Sequence, residues 1–518
     1  MRRRASRRTR VAPHKCPNAV RITSWRLERK PARMRAWRAS HKAFDWLGLL
    51  EMISFSGLTG FSRKLPRLAL AAAVAVTSMA SVQPAAAQKI PVVRDAEIEA
   101  LVREYAKPIL QAAGLNRRKI EIILVNDPSF NAFVDGRRIF VNTGMLVTAE
   151  TPNEVIGVLA HEAGHLAGGH QERLRQQLAR AKTMAIVGML LGVGTVAAGA
   201  ATKTNDLAGA GGAIAAGSSE VARRSVLSYQ RTEESTADRS ALRYLEATGQ
   251  SARGMLTTFK RFQSALALSG ARVDPYQVSH PMPRERIANL EIQARASPNW
   301  DVKDSPALQR RHDLMRAKIA AHTNGRGASA KLFRKPEEGV EAKQYGEAIE
   351  GYLQGSPRAA LPKIDAMIKA EPKNPYYHEL RGDTLMKANR PAEAAAAYQR
   401  AVKLDPARSG VLQISYGQAL LAQGNPTAVK QAIAALERGL AADPDNAVGY
   451  RFLSQAYGMS GDVALAELTA AEGYYRANNF QQAKIFAARA QRKLKPRSPD
   501  WLRAQDIINY RSPGKKRG

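Results

Sequence analysis

The sequence predicts an α+β chain that is mostly helical, with a mixed domain in front and an α-solenoid behind. Three observations predict it. An apolar, β-branched run and a hairpin signal occupy residues 120–141. A capped, apolar helix follows from Thr151 and carries two histidines four residues apart. Beyond residue 343 a proline-marked turn recurs at the interval of a helix-pair repeat.

The 518 residues suffice for two or three domains. The net charge of +34 is uneven. Residues 1–51 hold 15 Lys and Arg against Glu28, Asp45 and Glu51, and three of the five tryptophans. The remaining charge reads as a solvated basic surface, with attraction to an anionic membrane as the alternative. No basic, aromatic-rich motif points to nucleic acid, so none is expected as a partner. Cys16 is the only cysteine, which excludes an intrachain disulfide.

From Met52 the chain has the layout of a secretion signal. Arg63, Lys64 and Arg67 precede the apolar run Leu68–Ala80, and Ala85-Ala86-Ala87 supplies the small residues of a cleavage site. Cleavage is expected between Ala87 and Gln88, releasing the protein into the periplasm. Met52 is then the natural start, and 1–51 a non-native or disordered extension.

In the mature part, Ile98, Leu101, Val102, Tyr105 and Ile109 mark a helix over Asp95–Ala113, closed by Gly114. Ile120–Val125 predicts a strand. Phe130–Val134 and Arg138–Val141 flank Asp135-Gly136 and predict a hairpin. Thr151-Pro152-Asn153-Glu154 is a capping box with proline at the first helical position, opening a helix expected to reach about Lys182. Met184–Ala201 and Ala208–Gly217 are apolar and rich in Gly and Ala. They fit a marginal bilayer span, a hairpin packed on the protein, or one dipping into a membrane surface. Ser228–Leu245 predicts a further helix, and 301–342 a linker around a short helix.

His161-Glu162-Ala163-Gly164-His165 lies inside the capped helix. Histidines at i and i+4 share a helical face and can grip one Zn²⁺, with Glu162 beside the open position. Zinc lowers the pKa of bound water toward ~7, and a glutamate there can take its proton and pass it to the leaving amine. Val155, Val158, Leu159 and Leu166 make the helix largely buried, where two unpartnered histidines and a glutamate would be costly. A third ligand is required. His170 has the wrong spacing and reads as structural. Glu234 fits, with Asp238 one turn later able to fix an imidazole tautomer; Glu233 is the competitor.

H-E-x-G-H followed about seventy residues later by E-x-x-A-D resembles the gluzincin family of HtpX, the CaaX prenyl proteases and the BepA-like periplasmic proteases. The resemblance covers roughly 92–500. It implies a zincin-type metalloprotease domain binding one Zn²⁺, and unfolded or stalled outer-membrane proteins as substrates. Ser279-His280-Pro281 with Arg286 resembles the family's H-P-x-x-x-x-R element. By that resemblance His280 stabilises an oxyanion or occludes the metal, and Arg286 anchors the site. Asn131-Ala132-Phe133 resembles the strand on which such proteases lay substrate. The apolar 184–217 segment matches the place of a loop near the active site, and peripheral membrane contact is expected through it. The cysteine staple of some relatives is absent.

Ala370-Glu371-Pro372, Leu404-Asp405-Pro406 and Ala442-Asp443-Pro444 repeat one turn at intervals of 34 and 38 residues. The first is the tetratricopeptide period; the second implies an insertion near 424–427. Gly382, Leu385, Ala394, Tyr398 and Ala401 fall at the expected positions. About four helix pairs are expected between 343 and 495, with Tyr376, Tyr377, Tyr450, Tyr474 and Tyr475 either lining a groove or packed in the core.

The expected organisation is thus an extension (1–51), a signal (52–87), a protease domain (88–300), a linker (301–342), a repeat domain (343–505) and a basic tail (506–518). The function expected is a zinc endopeptidase of the cell envelope whose repeats recruit substrates or, by resemblance, the outer-membrane assembly machinery. The alternative is a periplasmic chaperone or scaffold with low or regulated proteolysis.

Overall fold

The computed structural model describes residues 90–116, 119–202, 205–268, 280, 284–335 and 339–511. Residues 1–87, Ser279, Pro281 and most of the expected basic tail lie outside the described residues.

After β1 (Val92–Val93), Asp95 caps α1 (Ala96–Ala112) by accepting from the Ile98 N–H. The apolar stripe foreseen on that helix is buried: Ile98, Leu101, Val102, Tyr105 and Ile109 are all in the core. β2 (Glu121–Val125), β3 (Ala132–Asp135) and β4 (Arg138–Asn142) follow. The sheet order is β1-β2-β4-β3. β2 runs parallel to β4, with Glu121 opposite Arg138 and Val125 opposite Asn142. β3 and β4 form the antiparallel hairpin, turned at Gly136 with φ +61°. β3 is therefore an edge strand, beside β4.

α2 (Thr143–Thr148) leads to α3 (Pro152–Gly168), which is buried along most of its length. Thr151 accepts from the Glu154 N–H, but the Glu154 carboxylate turns to Arg261 at 2.6 Å, so only half of the capping box forms. The helix does not reach Lys182. It stops at Gly169 in the left-handed conformation, φ +65°, and a new helix begins at once.

That helix, α4 (His170–Thr202), packs along α5 (Asn205–Ala247), so the expected helix over Ser228–Leu245 is the end of a 43-residue one. The two apolar stretches become the arms of a helical hairpin. Ala181, Ala185 and Ala222 are buried between the arms, while Met184, Ile186, Leu190 and Leu191 face outward, Leu190 at 67% exposure. Among the described residues no helix is long and apolar enough to cross a membrane. α6 (Arg253–Leu268) and α7 (Arg284–Arg295) complete the front half.

The segment 301–342 is not a linker. Ser305 caps α8 (Pro306–Thr323), and α9 (Ala328–Leu332) follows. Every residue from Leu314 to His322 is buried. A helix covered on all sides has no polar face, which is why its periodicity escapes a search for an amphipathic stripe. Its charges are matched internally. Lys318 Nζ lies 2.9 Å from Asp95, 3.2 Å from Glu97 and 3.3 Å from Glu379, joining α8 to α1 and to the repeats.

Five helix pairs, one more than expected, form the solenoid among the described residues. They are α10 (Val340–Gln354) with α11 (Pro357–Ala370), α12 (Pro375–Lys387) with α13 (Pro391–Leu404), and α14 (Gly410–Leu421) with α15 (Pro426–Ala442). α16 (Ala447–Met459) with α17 (Val463–Arg476), and α18 (Phe480–Gln491) with α19 (Pro499–Asn509), complete them. The extra residues of the second interval mostly lengthen α15 to 17 residues, against 14 in α13, rather than enlarging the turn. α19 continues into the expected tail, with Ile507 buried. Tyr377 belongs to the core, whereas Tyr474 is 37% exposed.

Two α8 histidines give an acid-sensitivity prediction. Burial pushes His312 and His322 down to about 3. The unfolded chain binds their protons near pH 6.5, the folded chain only near 3. Their contribution to stability is therefore complete above pH 6.5 and is lost progressively as pH falls toward 3. Urea midpoints should decline already between pH 6.5 and 5, before ordinary carboxylates titrate. A midpoint constant over that window would contradict the account.

Candidate metal centre

The site is built where α3 and α5 cross. A Cβ on Gly164 would lie 2.9 Å from the Ala237 carbonyl oxygen, so the glycine of H-E-x-G-H and the alanine of E-x-x-A-D are the contact point of two helices. That approach carries Glu234 and Asp238 onto the histidine face of α3. His161 and Glu162 are fully buried, and His165, Glu234, Asp238, His280 and Arg286 nearly so.

His161 Nε2 and His165 Nε2 are 3.0 Å apart. Glu234 Oε2 lies 3.3 Å from the first and Oε1 3.4 Å from the second. His280 Nδ1 is 3.2 Å from His161 Nε2 and 3.1 Å from both Glu234 oxygens. Ligand atoms of His161, His165, Glu234 and His280 all fall within 4.8 Å of one another. Around them, His161 Nδ1 lies 3.0 Å from Asp238 Oδ1. The Arg286 guanidinium donates to Asp238 at 2.5 and 2.7 Å and reaches Glu234 at 2.9 Å.

The charges follow. Burial opposes ionisation of Glu234, but His280, His165 and Arg286 outweigh it and hold the carboxylate well below its usual range. Asp238 is lowered likewise, with Arg286 overcoming burial. Burial pushes Glu162 up to about 7, against the pull of His165 and His161.

These residues fit a metal. Zinc–nitrogen distances of about 2.0–2.1 Å place tetrahedral ligand atoms roughly 3.3 Å apart. The spacings between the His161, His165 and Glu234 donors, 3.0 to 3.4 Å, match that figure. Both oxygens of the buried Glu162 carboxylate lack a protein hydrogen-bond partner, the condition of a base whose partner is water or substrate.

Residues 93–294 match the family model described as Peptidase family M48, and 345–409 match one described as Tetratricopeptide repeat. The chain carries a family M48 peptidase domain followed by tetratricopeptide repeats. It is a metalloprotease. It is 27% identical over 386 residues to the putative beta-barrel assembly-enhancing protease of Vibrio cholerae, covering 72% of this chain and 75% of that one. It is 23% identical over 416 residues to the beta-barrel assembly-enhancing protease of Escherichia coli K12, covering 78% and 81%. The corresponding Yersinia pestis protein is 23% identical over 382 residues, covering 72% and 74%.

Of the residues singled out in the sequence, the structure gathers His161, Glu162, His165, Glu234, Asp238, His280 and Arg286. Asn131 is buried just ahead of β3, where Ala132 begins the strand. Phe133 borders a cavity of about 80 Å³ shared with Glu162 and His165. Glu233 points away from the cluster, to His170 at 2.7 Å and Arg173 at 2.8 Å. His170 itself lies 2.9 Å from the His165 ring, a contact that the sequence reading missed. Phe259 on α6, edge-on to His161 at 5.7 Å, was also missed, having no signal beyond an apolar helical position.

Proposed function

We propose that this chain is a zinc-dependent endopeptidase of the bacterial cell envelope, acting on misfolded or stalled outer-membrane proteins. The buried convergence of His161, His165 and Glu234 beside the Glu162 carboxylate, whose oxygens accept no protein hydrogen bond, carries the chemical part. Those three residues would hold the metal. Bound zinc supplies Lewis acidity, acidifying water and polarising a scissile carbonyl. Glu162, next to His161 in the chain, would accept a proton from the attacking water and return it to the leaving amine. Asp238 orients His161 through Nδ1, and Arg286 fixes Asp238 and Glu234 together. An extended substrate pairs with the edge strand β3. The envelope setting rests on the signal-like segment before Gln88 and on the names of the relatives; the repeats recruit substrate or the assembly machinery.

A chelator should abolish cleavage of casein by residues 88–518, and added zinc should restore it. Cleavage indifferent to the chelator would refute the metal mechanism. The α4–α5 hairpin, with Met184, Ile186, Leu190 and Leu191 outward, makes peripheral contact with a membrane surface.

One observation favours regulated proteolysis, the second reading. His280 Nδ1 sits among the donors, where a fourth ligand would. From there it would compete with water for the metal. His280→Ala is expected to raise the basal cleavage rate several-fold at unchanged zinc content. A fall in rate would assign His280 to stabilising the oxyanion instead.

A further inference from the structure

Beside the ligands, and unused by this mechanism, lies His170. We propose that His170, backed by Glu233, is a positioning residue that fixes the tautomer and orientation of the metal ligand His165.

The chain is built to put it there. α3 ends at Gly169 in the left-handed conformation, which folds the first residue of α4 back over the last turn of α3. At Gly168 an added Cβ would lie 2.1 Å from His170 Nε2, so any side chain at 168 would displace the imidazole. The two glycines serve one end: a histidine five residues beyond His165 reaches its ring edge-on, with the centroids 4.9 Å apart.

The protons then have one arrangement. His165 faces the metal donors with Nε2, which must be unprotonated to ligate, so its proton resides on Nδ1. That Nδ1–H donates to His170 Nδ1 at 2.9 Å. His170 therefore carries its own proton on Nε2, which lies 2.7 Å from Glu233 Oε2, a close contact without hydrogen-bond geometry. The same carboxylate oxygen is 2.8 Å from Arg173 Nη2, and Arg173 Nε donates to the Tyr229 hydroxyl at 3.2 Å. His161 is held by Asp238 and Arg286; His165 is held by His170, Glu233 and Arg173. Each histidine ligand thus has a backing chain that ends on an arginine, two residues long behind His161 and three behind His165. Glu233, the losing candidate for third ligand, supports the second histidine instead.

This inference rests on the zinc reading, and the test separates the two. Zinc affinity is measured by chelator competition on residues 88–518 in the unsubstituted chain and in His170→Ala, His170→Asn, Glu233→Ala and the His170→Ala/Glu233→Ala double variant. Cobalt-substituted spectra are recorded in parallel. His170→Ala should lower zinc affinity about 10–100-fold and shift the cobalt ligand-field bands. His170→Asn, whose side-chain oxygen can still accept from His165, should recover part of the affinity. The double variant should lose no more than His170→Ala alone, because the two residues act as one chain. If the unsubstituted chain binds zinc and His170→Ala matches it in affinity and spectrum, the positioning role is wrong and the metalloprotease reading stands. If the unsubstituted chain binds no zinc, both fail. Should His170→Ala not fold, the comparison passes to His170→Asn and Glu233→Ala. Unchanged spectra with additive losses there would overturn the proposal.

Discussion

Glu162→Gln is expected to keep zinc at the level of the unsubstituted chain while lowering kcat/KM for an unfolded protein by about 10²–10⁴-fold, the usual contribution of a general base. The substitution is close to isosteric, and neither Glu162 oxygen makes a protein hydrogen bond, so the fold loses none; His280 Nε2 lies 3.4 Å from Oε1. The amide cannot accept the water proton at neutral pH. Glu162 is not among the four residues whose ligand atoms converge, so metal affinity should change little. Zinc content and kcat/KM measured on the same preparation check this. Loss of zinc together with activity would make Glu162 a ligand; retained activity would remove it from the mechanism.

Glu234→Ala has the opposite signature. It removes a donor facing both histidines and leaves Arg286 Nη1, now 2.9 Å from Glu234 Oε2, without that partner in a buried setting. Removing one side of a buried ion pair typically costs about 3–5 kcal/mol. Zinc occupancy should fall below one-tenth per chain at micromolar metal, cleavage should vanish, and the metal-free variant should unfold at lower urea than the metal-free parent. Full occupancy and activity in Glu234→Ala would transfer the third-ligand role elsewhere.

The two glutamates were separable in sequence because helical spacing fixes faces. Glu234 and Asp238 are one turn apart, as His161 and His165 are, and two facing pairs at that spacing predict a crossing of helices. Gly164 and Ala237 make that crossing close, a role for the small motif residues that only the structure shows. Sequence carried less where the signal depends on tertiary surroundings. The break at Gly168-Gly169 was passed over because the helical pattern resumes immediately at His170. The linker expectation fails at α8 because Leu314–His322 are buried on all sides and alternate nothing; Lys318 looks like a surface residue until Asp95, Glu97 and Glu379 arrive from distant elements, and Arg316 until it meets Asp313 and the Val147 carbonyl. His280 was noticed through resemblance alone; its place among the donors depends on a segment far from α3 in sequence. The solenoid was legible from the recurring turn, and only its closing helix, α19, lies beyond the stretch 343–495 expected to hold the helix pairs.

The central claim is that His161, His165 and Glu234 hold a zinc ion, and zinc K-edge X-ray absorption on metal-replete residues 88–518 tests it most directly. The account predicts about one zinc per chain in a shell of nitrogen and oxygen near 2.0–2.1 Å, with imidazole scattering and no sulfur, and an imidazole signal that falls in His161→Ala. A chain that binds no zinc, or binds it with a shell unchanged in His161→Ala, would contradict it.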